Sequence, residues 1–189
     1  MTTLLVELFT EELPPKALKR LGESFADVIR AELARAGLLE DNAVATAWAS
    51  PRRLAVSIDH VRATAPDRDV TEKIMPVAVA LTADGQPSPA LRKKLEARGI
   101  ALDAVAQFER RPDGKHETFF YTYTAAGARL ADKLPRAVQE SVRKLPIAKV
   151  MHSGDSDVTF VRPVHKLVAL YGSEIIDCEV LGLFSDRIT

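Results

Sequence analysis

Apolar positions at Leu4, Leu5, Val6, Leu8 and Phe9, interrupted by Glu7, predict a short strand with one solvated position. The run ends in Thr10-Glu11-Glu12-Leu13-Pro14-Pro15, and two prolines before Lys16 predict a helix start with the two acids near the positive end of its dipole. From Lys16 to Ala36 the residues Leu18, Leu21, Phe25, Val28, Ile29 and Leu33 keep a 3.6-residue period, and Gly37 sits where a C-terminal cap belongs. Ala43–Trp48 and Arg53–Ile58 read as strands joined by Ala49-Ser50-Pro51-Arg52, and Val70–Leu81 as further extended chain. Asp84-Gly85 marks a turn, and Ser88-Pro89 supplies an N-cap and an N1 proline for a helix over Ala90–Arg98 that stops at Gly99. Pro112-Asp113-Gly114-Lys115, between Gln107–Arg111 and Glu117–Thr124, is a hairpin signal. Ala128–Leu145 is helical in pattern, with Pro135 either at its start or as a kink. Val158–Val161, His165–Tyr171 and Ile175–Leu183 read as strands separated by Gly154, Pro163 and Gly172.

This order lacks a regular βαβ rhythm, so the expected class is α+β, with mixed or antiparallel sheets and packed helices. A division into two sub-lobes is expected, about 1–65 with 140–189, and 66–139. The 189 residues, 47% hydrophobic and 28% charged, suffice for one domain or two small lobes. Lys plus Arg and Asp plus Glu number 26 each, so any contact with nucleic acid must be local. Charge is uneven: residues 1–41 carry eight acids against five bases, and residues 135–166 six bases against three acids. The single cysteine, Cys178, excludes an internal disulfide and a Cys-based zinc site. The N-terminus lacks the basic and apolar regions of a signal peptide, and no apolar run approaches the ~18 residues of a membrane span. A soluble, cytoplasmic protein without membrane association is expected.

Neither a P-loop, a G-x-G-x-x-G, a G-x-S-x-G elbow nor an H-E-x-x-H occurs in the sequence. The four histidines, His60, His116, His152 and His165, are too dispersed to suggest a metal site. No catalytic residue is therefore assigned, and no metal. Three segments carry candidate binding chemistry instead. In Phe9–Pro15, Glu11 and Glu12 are either helix-entry acids or carboxylates offered to a partner's basic group; as neighbours they diverge in direction and do not form a catalytic pair. In Ser50–Val56, Arg52 and Arg53 offer planar bidentate donors to phosphate or carboxylate, against a solvated pair before an edge strand. In Leu145–Gly172, Lys149, His152, Arg162, His165 and Lys166 would line a basic surface suited to an RNA backbone; the alternative pairs Arg162 and His165 with Asp155 and Asp157.

Taken together, these segments resemble the beta chain of the two-subunit bacterial glycyl-tRNA synthetases. The family's Thr-Glu-Glu-Leu-Pro, Pro-Arg-Arg-Leu-Ala, Leu-Pro-Ile and Phe-Val-Arg-Pro-Val-His segments are similar to Thr10–Pro14, Pro51–Ala55, Leu145–Ile147 and Phe160–His165, in that order. Lys166 stands where the family usually has tryptophan, and His152-Ser153-Gly154 where it has an Arg-Trp-Gly-like run. The resemblance implies a longer beta chain with HD-type and anticodon-binding domains beyond this fragment. It also implies an alpha subunit that uses ATP and magnesium, a heterotetramer, and tRNA(Gly) as partner. It implies an α+β layout similar to the editing-domain region of the phenylalanyl-tRNA synthetase beta chain. The expected role is non-catalytic support of tRNA binding or subunit assembly; an editing-like hydrolytic domain and a purely architectural one are the alternatives.

Overall fold

The computed structural model describes residues 2–146 and 164–188. In chain order the elements are β1 (Thr2–Thr10), a 3-10 turn (Pro15–Ala17), α1 (Leu18–Arg35), β2 (Ala45–Ser50), β3 (Arg53–Val61), β4 (Arg68–Pro76) and a single turn α2 (Val77–Ala80). They continue with α3 (Pro89–Arg98), a second 3-10 turn (Leu102–Gln107), β5 (Glu109–Asp113), β6 (His116–Ala125), α4 (Leu130–Arg143), β7 (Val164–Tyr171), β8 (Glu174–Ile175), β9 (Glu179–Val180) and β10 (Leu183–Asp186). Helices and predominantly antiparallel strands thus combine in an α+β arrangement. The chain forms two compact units, residues 1–66 with 127–189 and residues 67–126, so α4 lies in the first unit. No described helix is long and apolar enough to cross a membrane.

The first unit is built on a seven-stranded sheet in the order β2-β3-β1-β7-β10-β9, with β8 on β7. β1 is antiparallel to both β3 and β7, whereas β10 joins β7 in parallel. Alternation along the strands turns Leu4, Val6 and Leu8, Leu54, Val56 and Ile58, and Leu167 and Ala169 to one face, all of them fully buried. Phe25, Ile29 and Leu33 of α1 and Leu134 and Val138 of α4 complete this core. Each such side chain contributes about 1.5–3 kcal/mol on burial. Gly22 allows α1 to approach β2 closely: a Cβ there would lie 3.0 Å from the Ala49 Cβ. Gly37, at φ +74°, ends the helix as its position predicts. The start differs from expectation, because α1 begins at Leu18 after the 3-10 turn and carries no acid in its first turn. α4 runs through Pro135, which leaves the Ala131 carbonyl without its usual helical donor.

The second unit has a three-stranded antiparallel sheet, β4-β6-β5. Ile74, Ala80, Leu91, Leu95 and Phe119 form its small core, with Phe108 edge-on to Phe119 at 5.7 Å between centroids. α3 is bounded as its sequence predicts: Ser88 accepts from Leu91 N, Pro89 opens the helix, and Gly99 closes it at φ +65°.

Candidate binding surfaces

The Phe9–Pro15 and Ser50–Val56 segments meet in the structure. Pro51 and Arg52 form the two-residue turn between β2 and β3. Thr10 N donates to Arg52 O at 3.0 Å, and Leu13 N to Pro51 O at 2.5 Å. Leu13, 1% exposed, anchors this crossing in the core. Thr10 does not cap a helix; its hydroxyl donates to the Glu11 carbonyl at 2.8 Å. Glu11 and Glu12 stand clear of α1, both exposed in the segment between β1 and the 3-10 turn.

Register then fixes a row across three strands. Phe9 of β1 pairs with Arg53 of β3 on one side and with Lys166 of β7 on the other. Directly paired side chains share a face, and this face is opposite to the Leu8–Leu54–Leu167 core. The Arg53 guanidinium lies 4.3 Å from the Phe9 ring centroid and the Lys166 ammonium 5.8 Å from it. Arg53 Nη1 is also 3.5 Å from Glu7 Oε1, one row along. Glu7 is only 9% exposed, and its Oε2 has no hydrogen-bond partner among the described residues. That buried carboxylate holds Arg53 electrostatically while the ring supports it from beneath. Lys166 has a looser partner in Asp186, 3.9 Å away. Trp48, 60% exposed, pairs with Ala55 on the same face as Glu7.

His165 leaves this row. β1 shifts register between Phe9 and Thr10, pairing Phe9 with Lys166 and Thr10 with Val164. His165 is therefore the extra residue of a bulge, and its Nε2 lies 2.8 Å from Glu11 Oε1. Both side chains are about half exposed, so the pair is solvent-screened. Of the candidate residues in the Ser50–Val56 and Leu145–Gly172 segments, Arg53 and Lys166 come together, His165 turns to an acid, and Arg52 stays in the adjoining turn. Lys149, His152 and Arg162 lie outside the described residues, as do Asp155 and Asp157.

The second unit holds a cleft of about 540 Å³ that no sequence motif announces. Tyr121 and Tyr123 form one wall, their rings 5.4 Å apart and 25° from parallel. The end of α3 and the 3-10 turn form the other, with Arg98, Asp103 and Gln107. Glu72 accepts from Arg98 Nη1 at 2.8 Å and from the Tyr123 hydroxyl at 3.2 Å. Desolvation, with Glu72 beside it, raises the Tyr123 pKa, so its hydroxyl stays a donor across the neutral range. The signal was the alternation of aromatics in β6, which reads equally as strand packing.

Comparison with known sequences decides the family. The sequence profile described as glycyl-tRNA synthetase beta subunit matches residues 4–189. The chain belongs to the glycyl-tRNA synthetase beta subunit family. It is 56% identical to the glycine–tRNA ligase beta subunit of Aromatoleum aromaticum over 99% of its own length, 51% to that of Ralstonia nicotianae over 100%, and 52% to that of Leptothrix cholodnii over 98%. It spans only 27–28% of the length of these glycyl-tRNA synthetase beta subunits.

Proposed function

We propose that this chain acts as the N-terminal, non-catalytic part of a glycine–tRNA ligase beta subunit, contributing cations to tRNA(Gly) binding in a cytoplasmic complex. The ATP- and magnesium-dependent activation of glycine falls to the partner alpha subunit in this reading. The single observation that supports it is the Arg53–Phe9–Lys166 row on the sheet face opposite the core. A guanidinium and an ammonium held over one ring lose little side-chain freedom when they meet a phosphate. Arg52, exposed in the adjoining turn, is a further candidate cation.

The test is tRNA(Gly) binding by the chain as a function of salt. Arg53→Ala and Lys166→Ala should each weaken binding and lower the log–log salt slope by about one. Unchanged affinity and slope in both variants would remove this face from the tRNA contact. The alternative is an editing-like hydrolytic domain, and release of the amino acid from mischarged tRNA by the chain would favour it. Capture of the alpha subunit, lost on Glu11→Lys or Glu12→Lys, would favour assembly as the role.

A further inference from the structure

We propose that the cleft of the second unit receives one unpaired nucleobase of an RNA strand, a deepening that rests on the tRNA-binding reading above. The cleft volume of about 540 Å³ suits a nucleoside-sized group. Tyr121, its ring centroid 5.2 Å from that of Phe108, stacks on Tyr123, so Tyr123 presents the outer ring of an aromatic stack, a surface on which any base stacks regardless of identity. Facing them are groups matched to a base edge rather than to a charge. Asp103 accepts from an exocyclic amine, and the Gln107 amide both donates and accepts. Arg98 and Glu72 neutralise each other at 2.8 Å, so they add little net field at the base position.

The charge around the cleft argues for a nucleic-acid strand over a peptide. α3, whose last turn forms one wall, carries Arg92, Lys93 and Lys94 besides the Glu72-paired Arg98, against the single acid Glu96. That field attracts the phosphates flanking a base and repels a basic peptide. Asp103 inside the cleft disfavours an acidic side chain there. A neutral ring between two phosphates satisfies both conditions.

The test compares two probes on the intact 189-residue chain at low salt: a labelled single-stranded ribonucleotide hexamer and an abasic ribose-phosphate chain of the same length. The hexamer should bind more tightly than the abasic chain. Tyr121→Ala and Tyr123→Ala should each weaken the hexamer about 5- to 100-fold and leave the abasic chain unchanged. Tyr121→Phe, which keeps both the ring and the packing, should bind as the parent does and serves as the folded control. Equal binding of the two probes overturns the proposal, as does a hexamer affinity indifferent to both alanine variants. Preference for an arginine-rich hexapeptide over the RNA hexamer also overturns it. Loss of the Arg53 effect on tRNA with the tyrosine effect intact strikes only the proposed function; the reverse strikes only this cleft.

Discussion

Cys178, 3% exposed between β8 and β9, has its thiol pKa pushed up to about 11 by burial, which disfavours the thiolate. Two units above the ordinary value means about 100-fold less thiolate at neutral pH. Its reaction with a disulfide reagent such as DTNB should therefore be at least about 100-fold slower in the folded chain than in denaturant. Equal rates would mean that the β8–β10 region opens freely. Residue identity told some of these environments and hid others. Cys178 is buried although Asp177 and Glu179 flank it. His165 reads as one of a basic group, yet a one-residue register slip carries it to Glu11, and no side chain announces that slip. Glu7 reads as the solvated position of its strand, but it is buried, with Arg53 3.5 Å from its carboxylate.

Element boundaries were legible where capping chemistry is written into the chain. Ser88, 9% exposed, bonds Leu91 N at 3.2 Å and donates to Val79 O at 2.8 Å. Ser88→Ala removes both bonds and should destabilise the second unit by about 1–2 kcal/mol, read as a lower midpoint in urea. A midpoint unmoved by Ser88→Ala would mean that α3 is held by its Leu91 and Leu95 packing alone. Elsewhere local pattern misled. Val77–Ala80 looks extended because valine favours strands, but Pro76 and the packing of Ala80 set a helical turn there. Pro112 looks like a turn residue, yet it lies within β5, where an edge strand tolerates its missing donor; only Gly114 and Lys115 turn the hairpin. Ile175–Leu183 is not one strand but β8, β9 and the start of β10. The break between β9 and β10 falls at Leu181 and Gly182, both at positive φ, and leucine gives no warning of a left-handed conformation.

Across the whole molecule, hydrophobic period was enough for the α+β class, while the limits of the units depend on contacts distant in sequence. The larger unit is assembled from two stretches, ending at Pro66 and resuming at Gly127. The two stretches are joined where Ala65 N donates to Ala128 O and Leu130 N to Ala63 O, both at 2.8 Å. Gly127 lets them come this close: a Cβ there would sit 1.6 Å from the Ala65 carbonyl oxygen, a backbone atom with little room to yield. Gly127→Ala must push the two passes apart, straining bonds that lead directly into α4 and its core residues Leu130 and Leu134. The expected cost is about 2–4 kcal/mol, or roughly 5–15 °C in Tm for a chain of this length. Gly85→Asn is the matched control, since Gly85 is at φ +76° with nothing within 4 Å of a Cβ, and asparagine tolerates that conformation. The control should shift Tm by only a few degrees. Equal shifts in the two variants would mean that backbone freedom, and not the approach of Ala65, explains the glycine at 127.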